Sequence, residues 1–393
     1  MESVRSTGRT VLLLDAGDFI TQAGFQSDKN SIQLKIATEF MLEGMNFLGY
    51  TCANVGEGDL TFGDKFLKDL SERFAVPLVS ASLRLGEELA FPPVHIATAG
   101  PIKVGIVGVL SDNFTSYVLD HSDPGRPVVI GDPQAAMERG LELLSDKVNL
   151  RVLLVHAPIK QVRELLQAVP GYDIAISGHD TRFAPVDEPE VVNGTYLVQI
   201  GWEGKRIGRL DITVDPAGRI TEIEGSSTAL DSSWPSHPAM QDLHERYLAR
   251  VGEALEEILA AYPVKPPPSG SRYVGSEVCR TCHENEWTSW RNTKHARAWR
   301  TLQGINRDYD PECFSCHTTG FGYEGGFRLY EQTPNLAGVQ CESCHGAGGD
   351  HVDGLTPFAP VEESACLKCH VPLHSPDFDY STYLPRVLHR TGE

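Results

Sequence analysis

Short apolar runs alternate with amphipathic stretches over roughly the first 230 residues. Runs of four to eight residues rich in Val, Ile and Leu are typical of buried strands. They lie at Val11–Leu14, Val104–Val109, Val152–Val155, Ile174–Ile176 and Tyr196–Ile200. Apolar residues at helical spacing predict helices at Ile32–Leu48, Pro133–Leu144 and Val162–Ala168. The pattern therefore predicts an α/β domain over residues 1–230, a sandwich of sheets flanked by helices.

The pattern changes after two further strand-like segments, Ile207–Val214 and Ile220–Glu224. Apolar residues then follow one face of a single predicted helix at Met240–Ala261. The next residues, Pro263–Gly270, read PVKPPPSG, and consecutive prolines favour a semi-rigid extended chain. Residues 231–270 are therefore predicted to be a helix and a linker, which ends the first domain.

Residues 271–393 form the predicted second domain, which has few apolar runs and is rich in Gly, His and Cys. A mainly helical, loop-rich unit is expected, with its core built around bound groups. One helix is predicted from His283 to Leu302, and it carries Trp287, Trp290 and Trp299. The tryptophans are expected to pack on the faces of those bound groups.

Eight of the nine cysteines lie in this second domain, in four copies of one pattern. C-x-x-C-H is the attachment signature of c-type haem, because two thioether bonds reach one porphyrin and the next residue ligates its iron. A zinc site or a disulfide framework would not require a His directly after every second Cys. The sequence thus predicts four c-type haems, with thioether cysteines Cys279, Cys282, Cys313, Cys316, Cys341, Cys344, Cys366 and Cys369 and proximal ligands His283, His317, His345 and His370.

Four histidines after residue 270 are not part of these motifs: His295, His351, His374 and His389. The equal numbers of haems and remaining histidines predict that each iron has a distal His. Iron with two axial histidines has no open position, which suits electron transfer. The pairing of distal histidines with haems does not follow from the sequence.

The chain carries 34 basic and 53 acidic residues, a formal net charge of −19. That balance argues against a nucleic acid or an anionic membrane as partner. No apolar run is long enough for a transmembrane segment. The expected partners are redox proteins with a basic surface, or further copies of this chain in a haem-stacked assembly.

Residues 272–389 resemble the multihaem cytochromes of the c-554/c-552 type. The resemblance lies in YVGSEVCRTCHENEWTSWRNTKHARAW, CFSCHTTGFGYEGGF, GVQCESCHGAGGDHV and CLKCHVPLHSPDFDY. It implies that His295 and His351 are distal ligands, and it supports His374 and His389 less directly. Members of this family carry electrons, often outside the cytoplasm, and a related group has a catalytic haem with an open iron position.

Residues 11–225 resemble the metallophosphatase domain of the 5'-nucleotidase family. The resemblance lies in LLLDAGDF, NVGEGDLTFG, VSASL, GIVGVL, LLVHAP, DIAISGHDT and VQIGWEGKRIGRLDI. Members of the family bind two metal ions, which activate water and hold a phosphoryl group. The resemblance therefore implies a metal-binding α/β fold.

The sequence departs from that family at several metal ligands. The opening D-x-H motif has no counterpart, and G-N-H-[DE] becomes Gly56–Asp59, with Glu57 for Asn and Gly58 for His. Thr181 replaces the second His of G-H-x-H. One set of ligands remains, namely Asp18, Glu57, His156 and His179, and it could hold one Mn, Fe or Zn ion. Alternatively, these four residues form local hydrogen bonds in an inert scaffold or docking domain.

The expected function is an exported tetrahaem electron carrier without catalytic residues, periplasmic or extracellular, because haem is attached to cysteine outside the cytoplasm. No leader is present, so we expect that Met1 is not the native translation start or that a leader was removed. The alternatives are a metallophosphoesterase with a redox tail and a haem enzyme with one open iron. Cys52, in an apolar stretch, is expected to be a buried inert thiol.

Overall fold

A computed structural model describes residues 4, 6–20, 32–179, 188–199, 204–215, 218–231, 233–305, 307–354, 361–371 and 374–389. The chain divides into two compact units. The first comprises Met1–Asn30 and Leu34–His244, and the second comprises Ser31–Gln33 and Glu245–Glu393. The division falls inside the helix predicted at Met240–Ala261, because Leu259 from its last turn packs in the core of the second unit.

The first unit is built on two main sheets, with a small third sheet and a hairpin beside them. Its strands are β1 Leu14–Asp15, β2 Cys52–Asn54, β3 Leu78–Val79, β4 Leu83–Leu85, β5 Glu88–Leu89, β6 Val94–Ala99, β7 Ile102–Leu110, β8 Val128–Ile130, β9 Leu150–Ala157, β10 Ile174–His179, β11 Glu190–Val192, β12 Thr195–Gln199, β13 Arg206–Val214 and β14 Ile220–Ala229. One sheet has the order β1-β2-β3, and the larger has the order β11-β12-β10-β9-β7-β6. Strands β4, β5 and β8 form a small third sheet, and β13 and β14 form a hairpin.

Parallel pairing dominates both main sheets. Strands β1, β2 and β3 are parallel, as are β7, β9, β10 and β12, whereas β6 and β11 are antiparallel additions at the edges. Strand β2 packs on β7 and β9, so the two sheets face each other. The core between the two sheets contains Val152, Leu154 and Ile106 from the larger sheet and Cys52 and Val79 from the smaller one. The predicted α/β sandwich flanked by helices is confirmed.

Helices cover these sheets. They are α1 Ile32–Leu48, α2 Gly63–Phe74, α3 Thr115–Asp120, α4 Pro133–Leu144 and α5 Ile159–Ala168. The bounds of α1 and α4 are those that the sequence predicts. Helix α4 begins at Pro133 because the Asp132 side chain accepts the N–H of Gln134, an N-cap followed by proline at the first position.

The second unit is helical, with short helices and long loops. Its helices are α6 Pro238–Glu253, which begins in the first unit, α7 Leu255–Ala261, α8 Ser276–Arg280, α9 Glu284–Arg291, α10 Ala298–Gly304, α11 Pro311–His317, α12 Cys341–His345, α13 Gly349–Val352, α14 Glu363–Cys366 and α15 Tyr380–Tyr383. Two long helices of the sequence prediction are interrupted. The first breaks at Ala254, and the second breaks after Arg291. None of the helices in the described ranges is long and apolar enough to cross a bilayer.

An aromatic cluster forms the core of the second unit. Phe314 and Phe327 are fully buried, and Trp299, Phe321, Leu302 and Leu336 surround them. The expectation that this region is built around bound groups alone is therefore incomplete, since apolar side chains contribute a core of their own. The proline-rich segment is also tied to this unit, because Lys265 N–H donates to Gly322 and Lys265 accepts the N–H of Glu324.

Candidate metal and haem sites

Four side chains of the first unit converge at one edge of its sheets. Asp18 follows β1, Glu57 follows β2, His156 lies on β9 and His179 ends β10. The carboxyl ends of parallel strands meet there, which explains how residues far apart in sequence come together. One ligand atom from each lies within 4.8 Å of the others. The sequence predicted these four residues as one set, and the structure brings all of them together.

The distances within this cluster are short, and the cluster is largely shielded from solvent. His156 Nε2 lies 3.1 Å from Glu57 Oε2 and 3.4 Å from Asp18 Oδ2, and His179 Nδ1 lies 3.2 Å from Glu57 Oε1. The side chains of Asp18, Glu57 and His156 are 7%, 0% and 1% exposed, whereas His179 is 32% exposed. The cluster is therefore open to solvent only on the side of His179.

The unpaired atoms of the cluster fit a cation. Both carboxylate oxygens of Glu57 and Nε2 of His156 are buried without a hydrogen-bond partner. His156 Nδ1 lies 3.1 Å from the carbonyl oxygen of Ala16, which assigns the proton of a neutral ring to Nδ1. Nε2 then presents a lone pair to two carboxylates. A histidine that donates its other N–H to a carbonyl is the usual arrangement of a metal ligand.

Without a metal ion, the charges within the cluster shift the pKa values of its buried groups. Burial acts to lower the pKa of His156, but Asp18 and Glu57 outweigh it and hold that pKa well above its usual value. Burial acts to raise the pKa of Glu57, but His156 and His179 outweigh it and lower that pKa to about 2. A proton on His156 therefore takes the place that a divalent cation would fill.

Close backbone packing holds the cluster together. Gly17 has φ +101°, and a Cβ there would lie 2.7 Å from the Gly56 nitrogen. Two of the four side chains sit on left-handed backbone, Asp18 at φ 62° and His179 at φ 72°. Such conformations persist where the surrounding structure enforces them, and they are concentrated at functional sites.

Two residues that the sequence did not single out complete the cluster. Asp59, which is 1% exposed, accepts the N–H groups of Asp18, Gly56 and Ile20 and so fixes both loops. The ring of Phe114 lies 4.5 Å from that of His179 and 5.8 Å from that of His156. The only available signal for Phe114 was its position just after an apolar strand.

The departures from the two-metal pattern have visible consequences. Gly58 has no side chain to take the place of the His, and its backbone N–H donates to Asp18 Oδ1 at 2.7 Å. Thr181 lies outside the described residues. Within the described ranges, no second group of His, Cys, Asp or Glu could hold a metal ion.

In the second unit, three pairs of imidazole rings lie about 6 Å apart. The ring centroids are 6.0 Å apart for His283 and His351, 6.1 Å for His295 and His370, and 6.2 Å for His345 and His389. Each pair joins the His of one C-x-x-C-H motif to a histidine from outside the motifs.

This separation fits a shared iron. A metal–imidazole bond is about 2 Å long and a ring centroid lies about 1 Å behind its nitrogen, so two axial rings lie about 6 Å apart. His370 Nδ1 also lies 3.0 Å from Ser375 Oγ. This hydrogen bond leaves Nε2 free to be a ligand.

The remaining motif histidine, His317 of the second motif, is placed differently. Its Nδ1 lies 2.9 Å from the carbonyl oxygen of Ala298, which also leaves Nε2 free. Among the ring contacts of the described residues, however, no second imidazole faces His317. His374 is exposed.

The eight motif cysteines lie outside any metal-binding cluster of the described residues, and none is in a disulfide. Zinc-type grouping is thus not seen. The motifs nevertheless approach one another, since helix α8 with Cys279 contacts helix α12 with Cys341, and the Cys369 sulfur lies 3.9 Å from the carbonyl oxygen of Ser315. Cys52 is fully buried and burial raises the pKa of its thiol, as expected for an inert core residue.

Different known proteins match the N-terminal and C-terminal parts of this chain. Residues 278–346 match the family model described as cytochrome c554 and c-prime. Cytochrome c-554 of Nitrosomonas europaea is 37% identical over an alignment of 98 residues, with 20% of this chain and 42% of that protein covered. The C-terminal part is therefore similar to a c-type cytochrome.

The N-terminal part is similar to 5'-nucleotidases. The Bos taurus 5'-nucleotidase is 28% identical over an alignment of 264 residues, with 61% of this chain and 44% of that protein covered. The sulfate thiohydrolase of Thermus thermophilus superposes with a TM-score of 0.54 at 20% identity, covering 63% of this chain and 44% of that chain. A 5'-nucleotidase precursor of Thermus thermophilus superposes with a TM-score of 0.52 at 22% identity, covering 68% of this chain and 53% of that one. These structures show a metallophosphatase-like fold, and the chain spans less than half the length of the curated relatives named here.

Proposed function

We propose that this protein is an exported tetrahaem c-type cytochrome that carries electrons, with a metallophosphatase-like unit that acts as a scaffold or docking module. The observation that carries the proposal is the set of three imidazole pairs with centroids 6.0, 6.1 and 6.2 Å apart. Bound haem supplies one-electron redox chemistry, and two axial histidines leave its iron no open position.

The residues that would hold the haems follow from the pairs. The first motif would attach its haem through Cys279 and Cys282, with His283 and His351 as axial ligands. The third motif would use His345 and His389 in the same way, and the fourth would use His370 and His295. The second motif supplies Cys313, Cys316 and His317.

Contacts between the motifs support an order of the four sites. Helix α8 with Cys279 of the first motif contacts helix α12 of the third, and the Cys369 sulfur of the fourth motif lies 3.9 Å from the carbonyl oxygen of Ser315 in the second. Helix α12 of the third motif contacts helix α14, which ends at Cys366 of the fourth. The sites would thus follow one another in the order first, third, fourth, second.

The proposed location is periplasmic or extracellular, because haem is attached to cysteine outside the cytoplasm. The formal charge of −19 favours a redox partner with a basic surface. Self-association that keeps acidic faces apart would extend the order of haem sites from one chain to the next.

Haem content and cell fractionation of the native protein test the proposal. We expect four covalent haems per chain, from the intact mass and the haem-to-protein ratio, in the periplasmic or extracellular fraction. A chain with fewer covalent haems, or one that carries its haems in the cytoplasm, would contradict it.

A second candidate function is a haem enzyme with one open iron, at the second motif. The observation that favours it is the absence of an imidazole facing His317 among the described ring contacts. If His374 ligates this iron, all ferric iron is low-spin and His374→Ala converts a quarter of it to high-spin. If the position is open, a quarter is high-spin already and His374→Ala leaves the spectrum unchanged.

The first unit would hold one divalent metal ion through Asp18, Glu57, His156 and His179. One metal without the second set of ligands does not provide the two-ion arrangement for phosphoryl transfer. We therefore expect metal binding without ordinary phosphatase activity. Turnover of a nucleotide or phosphate ester at enzyme-like rates would contradict the scaffold role and favour a metallophosphoesterase with a redox tail.

A further inference from the structure

Glu342 is a buried carboxylate inside the third haem motif. It lies between Cys341 and Cys344 in C-E-S-C-H and is 3% exposed. A charged side chain at such a position is costly unless other groups stabilise it. Its surroundings therefore show whether it is charged and where its charge acts.

Glu342 acts only as an acceptor in the hydrogen bonds it makes. Val274 N–H donates to both oxygens at 3.0 and 3.1 Å, Gly275 N–H donates at 2.7 Å and Gly348 N–H donates at 2.8 Å. Hydrogen bonds from several backbone N–H groups stabilise the ionised form of a carboxyl. The side chain is thus held as a carboxylate.

Nearby cations do not neutralise this charge. Within the described part of the chain, no cationic side chain lies within 4.0 Å of Glu342. Arg272, two residues before Val274, pairs instead with Asp353 at 2.7 Å. The dipoles of the backbone N–H groups stabilise the negative charge but carry no net charge, so they do not neutralise it.

The charge lies beside two haem motifs. Glu342 directly follows Cys341 in its own motif, and it accepts the N–H of Gly275, whose carbonyl oxygen lies 3.7 Å from the Cys279 sulfur of the first motif. Helix α8, which carries Cys279, contacts helix α12, which begins at Cys341. The carboxylate therefore lies beside the junction of the first and third sites, in an environment where water screens charge poorly.

We propose that Glu342 is a fixed negative charge that lowers the reduction potentials of the first and third haems relative to the other two. The inference rests on the proposed haem content. A ferric bis-histidine haem carries one more positive charge than the ferrous form, so a buried anion nearby favours the oxidised state. The electron would then be held preferentially on the second and fourth haems.

Glu342 also joins three segments of the chain through its hydrogen bonds. Such contacts stabilise the fold whether or not the charge acts on the haems. The experiment must therefore measure potential as well as folding. Glu342→Gln removes the charge and retains the shape, and Glu342→Asp retains the charge. The matched control is Glu363→Gln, because Glu363 is exposed and lies three residues before Cys366 of the fourth motif.

Spectroscopic redox titration of the full haem-loaded protein tests the proposal. In Glu342→Gln we expect the low-potential half of the titration to move upward while the other half stays in place. Glu342→Asp and Glu363→Gln should titrate as the wild type does. Unchanged potentials in a Glu342→Gln protein with four haems would overturn the inference.

If Glu342→Gln does not mature, an infrared measurement on the wild type decides. Redox difference spectra of protein labelled with 13C-glutamate should show an ionised carboxylate band that shifts when the low-potential haems are reduced. In Glu342→Asp the labelled band should be lost. A spectrum without such a band, or with a protonated carboxyl band instead, would overturn the inference. A protein with fewer than four haems would overturn the proposed function itself.

Discussion

His156 Nε2 lies 3.1 Å from Glu57 Oε2, yet neither atom forms a hydrogen bond in the described structure. Both atoms are buried and belong to a set of four candidate ligand atoms that lie within 4.8 Å of one another. Such an arrangement favours a cation that binds both, and the proton on His156 is the substitute in its absence.

Replacing Glu57 should therefore weaken metal binding. We expect Glu57→Gln to lower the affinity for one divalent ion by at least about tenfold, because one of two carboxylate ligands loses its charge. Metal analysis and calorimetric titration of Zn(II), Mn(II) or Fe(II) measure the change. Glu142→Gln is the control, because Glu142 is exposed on α4. Equal affinity in both variants would show that Glu57 is not a ligand.

Asp15 should make the stability of the first unit depend on pH. Burial raises its pKa from 3.8 to about 6, so the folded state binds a proton more tightly than the unfolded state. Stability then falls as the pH rises between these two values, by at most about 3 kcal/mol, and stays lower above them.

Asp15→Asn removes this dependence. Asn keeps an oxygen to accept the Gly17 N–H, which Asp15 Oδ1 accepts at 2.8 Å. In the metal-free protein, denaturant unfolding should show a gain in stability at about pH 7.5 and little change at about pH 4. A gain of equal size at both pH values would point to a cause other than the ionisation of Asp15.

His351 should control the spin state of one iron. We expect His351→Ala to convert about a quarter of the ferric iron from low-spin to high-spin, since His283 would lose the imidazole 6.0 Å away. Electron paramagnetic resonance and absorption spectra of the haem-loaded protein measure the fraction. His237→Ala, at an exposed histidine of the first unit, should leave the spectra unchanged. A wholly low-spin His351→Ala protein would remove His351 from the ligand set.

The aromatic cluster should contribute strongly to the stability of the second unit. Phe314 is fully buried, with rings of Phe321, Phe327 and Trp299 at 5.3, 5.4 and 5.5 Å. Phe314→Ala should cost about 3–5 kcal/mol in the free energy of unfolding of the haem-loaded protein. Ile305→Ala, at a side chain 61% exposed, should cost little. If both variants lose equally little free energy of unfolding, the haems rather than the aromatic cluster stabilise this unit.

The fold of the first unit followed from its apolar runs, because parallel strands buried on both faces leave a strong signal. The bounds of α1 and α4 were predicted, and the strand ends extended by a few residues. The helix predicted from His283 to Leu302 was wrong in its middle. The Asn292 side chain bonds to the Thr288 carbonyl and the Thr293 side chain bonds to the Trp290 carbonyl, so both compete with the helical backbone.

The candidate sites could be predicted in part. The spacing of C-x-x-C-H and the resemblance to known families selected ligands by residue type. The sequence did not indicate which imidazoles meet, because the partners come from loops whose path depends on contacts such as those of Glu342. Asp59 and Phe114 were missed for a related reason, since their roles arise from backbone N–H groups and ring stacking at close range.

The three imidazole pairs also have a topological consequence. His283 pairs with His351, His295 pairs with His370, and His345 pairs with His389, so the three loops that they close overlap along the chain. Each iron bound by such a pair would act as a cross-link, and overlapping cross-links restrict the unfolded chain in the same way as interleaved disulfides. Loss of the last pair would release only the C-terminal segment, whereas loss of the middle pair would loosen the loops on both sides of it.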